Sequence, residues 1–224
     1  MKKAVPFMFA ASVLTMSLSG CVIHVGGGYE DREGAELSSV FGGIDVDSGN
    51  RVGSISTVNG GIELENNVTA EILDSVNGGI EMGENVLIER ASVVNGDIEA
   101  GRNLVVEGSL VTVNGDIRLD DNARINGNIE TVNGNIQVLN GEILDDIVTS
   151  NGDIRIEGSS TIHGDIVFQR SSNDKWNWGE STPSVLFVGR DVNLLGNIII
   201  QRPVELELEN PEMGSKVIHR YSHQ

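Results

Sequence analysis

Cysteine, proline, aromatic and basic residues are all scarce in this chain. Of 224 residues one is cysteine and four are proline, and aromatics make up 4%. A single cysteine excludes a disulfide framework within the chain. So few aromatics exclude a core built on large rings and leave a thin aliphatic one. Fifteen Lys and Arg stand against 33 Asp and Glu, a formal charge of −18. So acidic a surface repels phosphate backbones and anionic headgroups, which argues against a nucleic-acid partner. Beyond residue 20 no stretch approaches the roughly 18 apolar residues of a membrane-crossing helix. There is no Gly-x-Ser-x-Gly elbow, P-loop or dinucleotide fingerprint, and none of His24, His163, His219 and His223 has the spacing of a zinc motif. The chain therefore reads as non-enzymatic, with no catalytic residues and no obligatory cofactor.

What is present is glycine, 28 residues of it, arranged with a period. "TVNGGIEL" at 57–64 returns as "SVNGGIEM" at 75–82, "VVNGDIEA" at 93–100, "TVNGDIRL" at 112–119 and "TVNGNIQV" at 131–138. The Asn-Gly pairs of this repeated motif are Asn59-Gly60, Asn77-Gly78, Asn95-Gly96, Asn114-Gly115, Asn133-Gly134 and Asn151-Gly152, spaced by 18 or 19 residues. Within each period inward candidates come mostly in pairs two apart: Ile62 and Leu64, Val68 and Ala70, then Ile72 and Val76 four apart in one copy; Ile80 and Met82, Val86 and Ile88, then Ser92 and Val94 in the next. After the last full motif the pattern continues through Ile166 and Phe168, Val185 and Phe187, and Ile198 and Ile200. Residues i and i+2 share one face of a strand but not of a helix. Three short strands per period predict an all-β fold: a single-stranded, parallel, three-sided β-solenoid of about 18 residues per rung and roughly eight rungs. Asn-Gly is then a corner, because both residues tolerate the backbone of a tight turn.

Residues 1–20 carry Lys2 and Lys3, an apolar run and a small-residue end, the layout of a secretory signal. Leu18-Ser19-Gly20-Cys21 resembles the bacterial lipobox, which implies cleavage before Cys21 and lipid attached to it. Val22 in place of Asp implies sorting to the outer membrane. Acyl chains contribute about 0.8 kcal/mol per buried methylene, so the protein is expected to be membrane-anchored through Cys21 rather than spanning. Residues 21–36, with three consecutive glycines, predict a flexible tether; 37–208 the solenoid, with an inserted loop at 169–184; and 209–224 a cap or tail.

The span from about Val40 to Leu208 resembles the bacterial adhesin-type β-solenoid family, in which Val-Asn-Gly-Asp-Ile-like units repeat behind an export signal. It is also similar in pattern to the bactofilins, solenoids that polymerise end to end. The resemblance implies adhesion, surface interaction or envelope organisation, with self-association or a polymerising scaffold as an alternative and a polysaccharide-active β-helix enzyme as another. An 18-residue coil also fits the left-handed hexapeptide helix; the 19-residue coils and frequent Ile and Val favour a right-handed one.

Three features are candidates for binding. Asp45, Glu63, Glu81 and Glu99 fall in one outward row that ends at Arg118, either a solvated acidic face or a row bridged by cations. Asp97, Asp116 and Asp153, with Asn135, align at the Asn-Gly corner and offer oxygens to calcium, or else are ordinary turn residues. Trp176 and Trp178, with Lys175 and Arg170 nearby, lie in the inserted loop, where rings either stack on an envelope glycan or protein or fold back on the rod.

Overall fold

The computed structural model describes residues 23–25, 34–170 and 183–221. Their backbone is a parallel β-solenoid of about nine turns, with about 19 residues per turn. Two of its three faces are ten-stranded sheets and the third is six-stranded. At about 4.8 Å per rung the rod is about 43 Å long.

Face one holds the strands that follow the Asn-Gly corner, such as Ile62–Leu64, Ile80–Met82 and Ile98–Ala100, stacked in register. Face two holds two-residue strands such as Leu87–Ile88 and Val105–Val106. Face three holds the strands that lead into the corner, such as Leu110–Asn114 and Ile129–Asn133. Inward aliphatic side chains from all three form one continuous core, in which Ile80, Ile98, Ile117, Ile136 and Ile154 are fully buried in a single column.

Each position of Thr-Val-Asn-Gly-x-Ile has its own physical reason. Thr112 and Thr131 point inward, and their hydroxyls donate to the carbonyls of Gly96 and Gly115 in the rung before, at 3.0 and 3.1 Å. Asn77 donates Nδ2 to Asn59 Oδ1 at 3.1 Å, and Asn95, Asn114, Asn133 and Asn151 continue the ladder at 2.9 to 3.0 Å. The corner glycines stack so closely that a Cβ on Gly115 or Gly134 would overlap the glycine carbonyl beneath it. Asp116, in the x position, accepts the amide of Asn135 at 2.7 Å, and Ile restarts the core. Removing one amide from the ladder breaks two of its bonds. Asn114→Ala is expected to lower unfolding free energy by about 1–2 kcal/mol, read from the urea midpoint.

Some expectations need correction. In the second and third motif copies the inward residues of face three are Leu73 with Ser75 and Ala91 with Val93. Val76 and Val94 are solvent-facing, about 40% and 39% exposed, and Ile72 and Ser92 are only half-buried. The strand runs inward at every second residue counted back from the corner asparagine, so Val next to Asn faces out. After the insertion Leu186 and Val188 point inward and Val185 and Phe187 outward, because Leu186 pairs with Ile154. Within the segment expected to be a tether, Ile23–Val25 is a strand paired with Ile44–Val46. Ile23 and Ile44 share a register position, and the Ile23 side chain packs against the core.

The insertion occupies one Asn-Gly corner, between the strands Ile166–Phe168 and Ser184–Val188. Ser184 already pairs with Val204, so the chain is back in the rod there. At the far end Asn210 caps a 3₁₀ helix, Pro211–Lys216, that buries Met213, and Val217–His219 then pairs with Ile198–Ile200. Lys216 Nζ donates to the carbonyls of Leu195 and Gly196, both at 3.3 Å, pinning this segment to the corner that precedes Ile198–Ile200.

Candidate functional site

Parallel stacking turns every outward position into a row. On face one the row runs His24, Asp45, Glu63, Glu81, Glu99, Arg118, Gln137, Arg155, Phe187, Glu207. The acidic row read from the sequence is therefore a physical column, from Asp45 to Glu99. Carboxylates about 4.8 Å apart repel by roughly 0.9 kcal/mol even in bulk water. Arg118 answers that repulsion at one end. Its Nη1 lies 2.6 Å from Glu99 and 3.4 Å from Asp97, and its Nη2 lies 2.5 Å from Asp116.

Beside this column is a groove of about 740 Å³, walled by Glu63, Glu81, Glu99 and Arg118 and floored in part by Gly83 and Gly101. Its lining also includes Glu65, which accepts the Ser48 hydroxyl at 2.8 Å and amide at 3.1 Å. Those two bonds hold the Glu65 carboxyl below its ordinary value of 4.5. Further along the rod, hydrogen bonds from Arg155 do the same to Glu157. A depressed carboxyl pKa stabilises the fold above its unfolded value, and that support is lost as pH falls through the lowered one.

The corner carboxylates have a structural use. Asp97 accepts the amide of Asp116 at 2.8 Å, Asp116 that of Asn135, Asn135 that of Asp153 at 2.9 Å, and Asp153 that of Val185 at 2.8 Å. One oxygen of each of Asp97, Asp116 and Asp153 thus ties a rung to the next. No group of three or more His, Cys, Asp or Glu that could hold a metal occurs among the described residues.

Trp176, Trp178, Lys175 and Cys21 lie outside the described residues. Arg170 is exposed at the root of the insertion, with its amide 3.4 Å from Gln201 Oε1. On the same stretch of rod two features escaped the sequence reading. Phe187 stands outward with the Arg155 guanidinium 4.1 Å from its ring centroid, a cation–π contact. Arg202 is 3% exposed, donates to Ser184 Oγ at 2.9 Å, and lies 5.2 Å from the Phe168 ring.

A second asparagine ladder was also missed. Asn67, Asn85, Asn103, Asn122 and Asn140 all adopt left-handed backbone, φ 48–63°. Asn85, Asn103 and Asn122 each donate to the asparagine of the rung before, at 2.9 to 3.3 Å. Their spacing of 18 or 19 residues was the available signal.

No family model matches the chain, and neither a curated protein nor a solved structure matches it.

Proposed function

We propose that this protein is a lipid-anchored, non-enzymatic rod of the bacterial cell envelope, attached through Cys21 and sorted to the outer membrane. Its role is adhesion, surface interaction or envelope organisation. The observation that carries the reading is the use made of the recurring polar side chains. The Asn and Asp rows bond rung to rung, so polarity is spread along the rod instead of converging on one reactive point. A regular acidic column on a stiff support suits display to an envelope glycan or a protein. The closed C-terminal end, with Met213 buried and Glu205 and Glu207 outward on the neighbouring edge strand, favours a discrete rod over end-to-end polymers. Ile23–Val25 begins two residues after Cys21, so the rod would stand directly on its anchor.

Cys21→Ser is the direct test. The native chain is expected to take up labelled fatty acid and enter the detergent phase on partitioning. The variant should lose the label and move to the aqueous phase. Equal labelling of both would overturn the anchoring reading.

A further inference from the structure

The outer surface of face three differs from the rest of this acidic molecule. Its two outward rows, from the strand Leu37–Phe41 to the strand Ile147–Asn151, are Ser38, Ser56, Asp74, Ser92, Val111, Glu130, Val148 and Val40, Val58, Val76, Val94, Val113, Val132, Ser150. Only Asp74 and Glu130 are charged, and Asp74 has Arg90 Nη1 at 3.7 Å. Val40, Val58, Val76, Val94 and Val113 are 36–59% exposed and form an unbroken stripe. The same face changes character further along. Val148, Val167 and Ile199 point outward, yet at 6%, 9% and 7% exposure they form a covered apolar cluster separate from the core.

We propose that the bare part of face three is the seat of a second copy of this chain, packed side by side. On a chain of charge −18 this is the surface on which two copies meet with least repulsion. The six strands from Leu37–Phe41 to Ile129–Asn133, at about 4.8 Å spacing and each about 16 Å wide, present roughly 460 Å² per copy. Two copies bury about 920 Å², the size of a weak, reversible interface, in keeping with association at micromolar rather than nanomolar concentration. Flat valine and serine rows suit sheet-on-sheet packing at about 10 Å. Bilayer-docking faces instead carry large aliphatic or aromatic residues beside basic ones. A two-fold axis parallel to the rod sets the serine row of one copy against the valine row of the other and keeps both N-termini at one end. That arrangement is compatible with anchoring in one membrane but does not depend on it.

Sedimentation equilibrium of the full chain in density-matched detergent tests the proposal. The native chain is expected to dimerise at micromolar concentration. Val76→Lys with Val94→Lys should weaken dimerisation about 100-fold, although it makes each copy less negative. Glu81→Lys, on another face, should leave it unchanged. Circular dichroism establishes that each variant keeps its β fold. If the lysines disturb the fold, Val76→Ser with Val94→Ser replaces them, with weaker dimerisation again expected. A native chain monomeric at about 100 μM, or a dimer indifferent to both valine pairs, overturns the proposal. So does a monomer that floats with phosphatidylcholine vesicles through these valines, which would make the stripe a membrane face.

Discussion

Gly134→Ala will destabilise the rod by about 3–5 kcal/mol, lowering its thermal midpoint by about 10 °C. The cost is steric. The added methyl would overlap the carbonyl oxygen of Gly115, and Gly115 is itself stacked on Gly96 and Gly134 beneath Gly152. Rungs are held at hydrogen-bonding distance by the ladders on either side of this column, so one corner cannot rise without breaking bonds at Asn133 and Asn135. Gly214→Ala is the control: nothing lies within 4 Å of its added Cβ, and its effect should stay within about 0.5 kcal/mol. Equal midpoints for the two variants in a thermal melt would show that the glycine column is not what sets rung spacing.

Phe168→Ala should cost about 4 kcal/mol, but in one part of the molecule. Phe168 is the largest fully buried side chain among the described residues, stacked between Thr149 and Ile200 at the point where the insertion leaves the rod. Its ring also faces the nearly buried Arg202 guanidinium. In a solenoid each rung touches only its neighbours, so a cavity there loosens nearby rungs first. Hydrogen exchange is expected to accelerate across 183–221 while amides in 62–119 keep their protection. Phe168→Leu should restore most of the loss. Uniform loss of protection would mean that the rod unfolds as one unit.

The architecture was legible because it depends on period, and period survives variation in individual residues. Three sheets, the Asn-Gly corner and the acidic column all follow from spacing alone. Phase within a strand was harder to read. Val76 and Val94 are apolar yet face water, and Ser75 is polar yet faces the core, so hydropathy pointed one residue the wrong way in both copies. The same slip occurred at Val185 and Phe187, where the insertion resets the count. Ile23–Val25 was read as tether because its pairing partner lies 21 residues on, outside the 18- or 19-residue period. The corner aspartates show a different limit. Their residue type suits a turn and a cation alike, whereas their bonding to the next rung's amides is visible only in three dimensions.

The corner geometry also bears on how the molecule ages. Asn-Gly is the sequence at which proteins most readily lose ammonia: the glycine nitrogen attacks the asparagine side-chain carbonyl carbon, and the resulting succinimide opens to aspartate or isoaspartate. In five of the six corners that nitrogen is committed elsewhere. Gly60, Gly78, Gly96, Gly115 and Gly134 donate to the backbone carbonyl of the next rung's asparagine at 2.8 to 3.0 Å. The insertion replaces the corner that would follow Asn151-Gly152, and among the described residues no further asparagine extends the ladder from Asn151. Stacking thus holds those five nitrogens away from the attack that would turn asparagine into aspartate, and the same contacts that build the rod slow its chemical ageing.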